Sequence, residues 1–193
     1  MNMAFDGLEE ANDDALMVLY ANGDQGAARV LTVRHAPRVL ALAKRMLTDQ
    51  AEAEDVTQEA MLRLWKNAGD WRQGEAKVST WLYKVASNLC LDRLRRKKST
   101  DLDAIPEPED DKPSAENVMM QIERKEALNT ALYELPERQR LAISLRHIEG
   151  LANPEIAEIL EISVEAVESL TARAKRTLKA LLLEKKDQLG LVP

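Results

Sequence analysis

Hydrophobic and polar positions alternate along the chain in long stretches rich in Ala, Leu, Glu, Lys and Arg, and no β-branched run shows the period of two that a strand requires. The pattern predicts helices near 12–22, 26–47, 51–67 and 79–98. After an interruption it predicts four more, near 115–134, 137–149, 154–160 and 164–186. Gly23, Gly69, Gly74 and Gly150 fall between these stretches, as punctuation should. Asn153 and Pro154 read as an N-cap and the first helical residue, and Ser163 reads as the cap of the helix that follows. The expected fold is therefore all-α.

The interruption is a composition break. Residues 101–117 hold seven acids, one lysine and Pro106, Pro108 and Pro113, with no aromatic residue. Such a segment cannot bury enough apolar surface to fold, and it reads as a flexible acidic linker. It divides the 193 residues into two small helical domains, 12–100 and 118–187. The formal net charge of −6 lies entirely in the linker, because the flanking parts carry +1 and −1. An acidic total therefore leaves a phosphate-binding role open. Local basic patches decide such contacts, and two are present: Arg93, Arg95, Arg96, Lys97 and Lys98, then Arg173, Lys175, Arg176 and Lys179.

Other classes fall away. Cys90 is the single cysteine, and the two histidines, His35 and His147, are far apart, so neither an internal disulfide nor a conventional metal site is expected. No nucleophile, histidine and acid arrangement and no Gly-rich phosphate loop points to an enzyme. With no signal-like start and no apolar run of membrane-spanning length, the expectation is a cytoplasmic protein without membrane insertion. Cys90, on a helix flanked by aromatics, is expected to be a buried, inert thiol.

Two stretches carry chemistry. Pro154–Leu160 and the helix from Val164 flank Glu161, Ile162 and Ser163, with Ile156, Ala157, Leu160, Ile162 and Val167 placed to share a small core, which is a helix-turn-helix pattern. A plain helical hairpin would give the same spacing. In the functional reading, Glu165, Ala166, Glu168, Ser169 and Ala172 face base edges while Arg173, Lys175 and Arg176 reach phosphate. Glu161 stands where such turns often use glycine. In the first domain, Trp65, Trp71, Trp81 and Tyr83 cluster just before the first basic run. Aromatic platforms beside a basic stripe suit single-stranded nucleic acid. Rings such as Trp65 and Trp81 could equally fill a helical core, which leaves Trp71, in the loop, as the better candidate for DNA.

The run Ala53-Glu54-Asp55-Val56-Thr57-Gln58-Glu59-Ala60-Met61-Leu62-Arg63-Leu64-Trp65, with Ser79 to Asn88 and Leu91 to Arg96, resembles the second region of bacterial extracytoplasmic function (ECF) sigma factors of the sigma-70 family. Leu135 to Arg140, Leu145 to Leu151 and Glu155 to Leu160 resemble their fourth region, in the same order and at the same spacing. The resemblance implies an initiation factor with no catalytic activity and no cofactor. Its partners would be core RNA polymerase, through the beta-prime clamp and beta flap, promoter DNA and an anti-sigma factor. Asp55, Gln58, Glu59 and Leu62 would dock on the clamp. The loop from Asn67 to Lys77, carrying Trp71 and Arg72, would hold a flipped minus-ten base together with Trp81, Lys84, Val85, Asn88, Arg93, Arg95 and Arg96. The helix of Glu165 to Arg176 would read the minus-thirty-five element, and the linker would thread the polymerase cleft. Many relatives carry a basic residue at the position of Glu168 and an arginine at that of Leu170.

Overall fold

The structure is a computed structural model that describes residues 8–100 and 126–184. The linker 101–117, and the expected helical residues 115–125 and 185–186, lie outside them. Every element among the described residues is helical. The chain packs as two units, divided after Leu94, and each is described by itself.

The first unit opens with α1, Asp13–Ala21, capped by Asn12, whose side chain accepts the Ala15 N–H at 2.8 Å. Asp24 caps α2, Gln25–Met46, in the same way through the N–H groups of Gly26 and Ala27. Pro37 lies inside α2 and faces solvent, where the backbone carbonyl it leaves unpartnered can meet water. Asp49 caps α3, Gln50–Lys66, at the Glu52 N–H. A single 3₁₀ turn, Ala68–Asp70, and a short loop lead into α4, Val78–Thr100.

These helices close over one core. Leu16 and Met17 of α1, Leu31, Leu42 and Met46 of α2, Ala53, Val56, Ala60 and Leu64 of α3 and Leu82, Ala86 and Cys90 of α4 are almost wholly buried. Truncating one of the leucines to alanine would cost about 2–5 kcal/mol, because the cavity adds to the lost transfer energy. Cys90 has no exposed surface, and burial pushes its thiol up to about 12, so the thiolate is absent at neutral pH. The burial expected of this thiol from the sequence is what the fold contains. Of the clustered aromatics, Tyr83 is the one buried in this core. Trp65 and Trp81 are half-buried at its rim, Trp65 against Tyr20 with ring centroids 4.8 Å apart.

α1 is fastened to α2 by a polar cluster that the sequence reading did not foresee. Asp13 takes both His35 Nε2, at 2.8 Å, and the Arg34 guanidinium, which also donates to the carbonyls of Glu9 and Ala11. Burial alone would raise the Asp13 carboxyl, but the bonds from His35 and Arg34 outweigh it and hold it below its usual value.

In the second unit, a helix described over 126–133 (α5) precedes α6, Glu137–His147, α7, Asn153–Leu160, and α8, Val164–Glu184. Ala131, Leu132, Leu135, Ile143, Ala174 and Leu178 form one core cluster, with Leu181 and Leu182 packed on it. Arg140 is buried in α6. Its guanidinium donates to the carbonyls of Tyr133 and Leu135 and lies 5.0 Å from the Tyr133 ring centre, tying α5 to α6. The start of α7 differs from expectation by one residue: Ala152 is the cap, and Asn153 and Pro154 are already helical. The reason is Glu155, whose carboxylate reaches back to the Ala152 N–H at 2.9 Å, so the turn closes without an Asn side chain.

Candidate nucleic-acid interface

α3 divides its residues by face. Ala53, Val56, Thr57, Ala60, Met61 and Leu64 are buried, while Asp55, Gln58, Glu59 and Leu62 follow one another at helical spacing on the outer side. Leu62 closes this row at its C-terminal end and leaves about half of its surface (52%) to solvent. An exposed aliphatic side chain one turn beyond Gln58 and Glu59 suits a protein partner better than DNA. Glu59 accepts from Arg63 one turn on at 2.7 Å, and that bond holds its carboxyl below the usual range. Asp55 lies 3.9 Å from Arg93.

The loop after α3 is built by local rules and one distant contact. Asn67 closes α3, its N–H bonded to the carbonyls of Arg63 and Leu64. Gly74 takes a φ of +81°, which a residue with a side chain rarely adopts, and so lets the chain reverse toward α4. Trp71 is half-buried: its indole N–H donates to Asp14 Oδ1 of α1 at 2.9 Å and its ring meets Trp81 edge-on, with centroids 6.4 Å apart. The ring that sequence reading left loose in the loop is thus anchored. Arg72 is exposed and pairs across 3.4 Å with Glu75, a surface contact worth under about 1 kcal/mol that a phosphate could displace.

Along α4, Trp81, Lys84, Val85 and Asn88 share one stripe, with Asn88 exposed and the others half-buried, and the exposed Arg95 and Arg96 continue it. Arg93 does not belong to this stripe. Five positions beyond Asn88, it is turned by about 140° around the helix, and its guanidinium donates to the Glu52 carbonyl at 2.8 Å, holding α4 against α3. The sequence grouped Arg93 with the nucleic-acid residues because a basic run looks uniform. Helical rotation separates it.

In the second unit, α7 and α8 meet through Glu161, which is left-handed at φ 53°, ψ 48°. It fills a glycine position with a side chain. The Arg138 guanidinium donates to the Leu160 carbonyl at 3.1 Å and Arg146 to that of Leu151 at 2.8 Å, so both ends of α7 are held by α6 or by the residues next to it. Ser163 caps α8 at the Ala166 N–H, as expected. Ile156, Ile159, Leu160 and Val167 form the buried side of the motif. Ile159, which the sequence reading left out, is fully buried, and Ala157 and Ile162 are half-buried.

On α8, Glu165, Glu168, Ser169, Ala172, Arg173 and Arg176 form one exposed stripe opposite Val167, Thr171, Ala174 and Leu178. Ala166 is half-buried beside this stripe. Lys175 is exposed toward α6, where it and Arg146 add to the burial that lowers the His147 pKa. Glu165 is held below its usual value by its own backbone N–H and by Ser163, the helix N-terminus favouring its charge. Glu168 reaches Asn153 of α7, whose amide nitrogen lies 3.4 Å from Oε1, rather than lying along its own helix toward Arg173.

Residues 31–100 match the family model described as Sigma-70 region 2, and residues 125–178 match Sigma-70, region 4. The ECF RNA polymerase sigma factor SigM of Mycobacterium tuberculosis is 34% identical over 180 residues, covering 93% of this chain and 89% of its own length. The ECF RNA polymerase sigma-E factor of Escherichia coli K12 is 32% identical over 181 residues, covering 88% of this chain and 94% of its own. Among solved structures, CnrH in complex with the cytosolic domain of CnrY superposes with a TM-score of 0.66 at 25% identity, covering 88% of this chain and 96% of that one. RpoE of Bartonella quintana, solved with the anti-sigma factor NepR, shares the fold at a TM-score of 0.64 and 20% identity over 80% of this chain and 95% of its own. With both regions present in order and relatives matched along nearly their whole length, the chain belongs to the ECF sigma factors of the sigma-70 family.

Proposed function

We propose that this chain is a transcription initiation factor that binds core RNA polymerase and directs it to promoters with two separate recognition elements. The observation that carries the reading is the α4 stripe of Trp81, Lys84, Val85 and Asn88, walled at one end by the anchored Trp71. An aromatic wall beside amide and cationic groups offsets the few kcal/mol that unstacking a base costs, because every base has a π-face and every nucleotide a phosphate. Asn67 and Arg72 of the loop, and Arg95 and Arg96 further along the sequence of α4, would add contacts to the same DNA strand. The outer row of α3 docks on polymerase through Leu62. The exposed stripe of α8 enters the major groove at the upstream element, with Arg173 and Arg176 toward phosphate and Lys175 to one side of it.

An anti-sigma factor completes the proposal. A protein covering Leu62 when polymerase is absent would bury an exposed apolar side chain and block docking in one step.

Asn88→Ala and Trp71→Ala test the pocket. Both are expected to lower permanganate reactivity of thymines in the minus-ten element while polymerase pull-down stays unchanged. Equal losses in the two assays would make these residues supports of the fold instead of base-binding groups.

A further inference from the structure

Asp14 lies in the first turn of α1, far in sequence from the loop that follows α3, yet that loop occupies both of its carboxylate oxygens. Oδ1 accepts the Trp71 indole N–H at 2.9 Å, and Oδ2 accepts the Gly74 backbone N–H at 3.1 Å. Trp71 precedes the turn of residues 72–75 and Gly74, at φ +81°, lies within it, so one side chain holds both the approach to the bend and the bend itself. From Asp14 the contacts run on through Trp71 to Trp81, and from Trp81 along α4 to Lys84, Val85 and Asn88.

We propose that Asp14 is the positioning residue of the minus-ten pocket, setting the Trp71 ring and the loop backbone in the base-receiving arrangement before DNA arrives. This rests on the reading of the loop as that pocket. Arg72, Gln73, Gly74 and Glu75 are all exposed, so the loop has little core of its own to order it. Without the carboxylate, its ordering entropy would be lost at the moment of base capture. The chemistry also explains why an acid is used next to a surface that meets phosphate. Two N–H groups need two acceptors and no donor. A carboxylate meets that need, whereas an asparagine amide would turn an NH₂ toward one of them. Trp71 therefore acts on the base, and Asp14 acts through Trp71 and Gly74.

The test uses holoenzyme reconstituted from core polymerase and the full chain, on a promoter selected from a randomised runoff library. Asp14→Ala is expected to reduce permanganate reactivity of the minus-ten strand about tenfold, less than the roughly hundredfold that a full ångström of misplacement can cost. Polymerase affinity should be unchanged. Asp14→Asn should fall between the two, because it keeps one acceptor. In a Trp71→Ala background, Asp14→Ala should cost a smaller factor than in the parent, since the ring is gone and only the hold on Gly74 remains. Unchanged opening in Asp14→Ala, a matched loss of polymerase binding, or effects of Asp14→Ala and Trp71→Ala that simply multiply would each overturn the proposal. If Trp71→Ala and Asn88→Ala impair opening and Asp14→Ala does not, positioning by Asp14 alone is refuted. If none of the three matters, the pocket itself is misassigned and the proposal falls with it.

Discussion

Glu161 is one residue whose conformation works against its chemistry. A non-glycine residue held left-handed is strained by about 1–2 kcal/mol, and the turn between α7 and α8 keeps it there because Ile162 must return to the core with its N–H on the Ala157 carbonyl. Glu161→Gly should relieve the strain, less the extra freedom glycine gives the unfolded chain. The expected net gain is about 0.5–1 kcal/mol, or a few degrees in the melting of the second unit. Calorimetry reads this directly. A variant no more stable than the parent would mean that the contacts of the Glu161 side chain offset its strain in full. The departure at this turn was visible in the sequence because the helix-turn-helix pattern names the position. The roles of Asp13 and Asp14 were not. Their partners, Arg34, His35, Trp71 and Gly74, lie 21 to 60 residues away, and nothing local distinguishes these two acids from ordinary first-turn acids on a helix.

Elements were legible where period and caps agree. The expected helices 26–47, 51–67 and 164–186 correspond to Gln25–Met46, Gln50–Lys66 and a described Val164–Glu184, because Asp24, Asp49 and Ser163 supply real caps. Which face of a helix does what was harder to see. Arg93 turns to α3 and Ala166 folds into its cap, since composition shows a basic or small run without its rotation. On α8 this rotation leaves Glu168 exposed within the stripe proposed to read DNA, with Asn153 beside it. A carboxylate in the major groove accepts from cytosine N4 and repels phosphate, giving discrimination of about 1–3 kcal/mol where it reaches a base. Glu168→Lys is expected to raise duplex affinity in general and to change the preferred base at one upstream position. A randomised minus-thirty-five library transcribed with both forms tests this. An identical preference would show that Glu168 reads nothing and that the readout lies elsewhere on α8.

At the scale of the whole molecule, charge and architecture point to a factor that needs its partner. Two small basic patches, at 93–98 and 173–179, are separated in sequence by residues 101–117 with a net charge of −6, and the α3 row with Leu62 lacks any basic group. Free duplex binding should therefore be weak at physiological salt, where few phosphate contacts are available and the linker is repelled. Under the proposed function, polymerase would supply what is missing by binding the chain and the promoter together. The most direct measurement is runoff transcription by purified core polymerase on a randomised promoter library, with and without the full chain. Transcripts that appear only with the chain, and that share two separated sequence elements upstream of their starts, are the result this account predicts. No chain-dependent transcript, together with nanomolar binding of the isolated chain to promoter duplex, would contradict it and make the protein a stand-alone helix-turn-helix regulator.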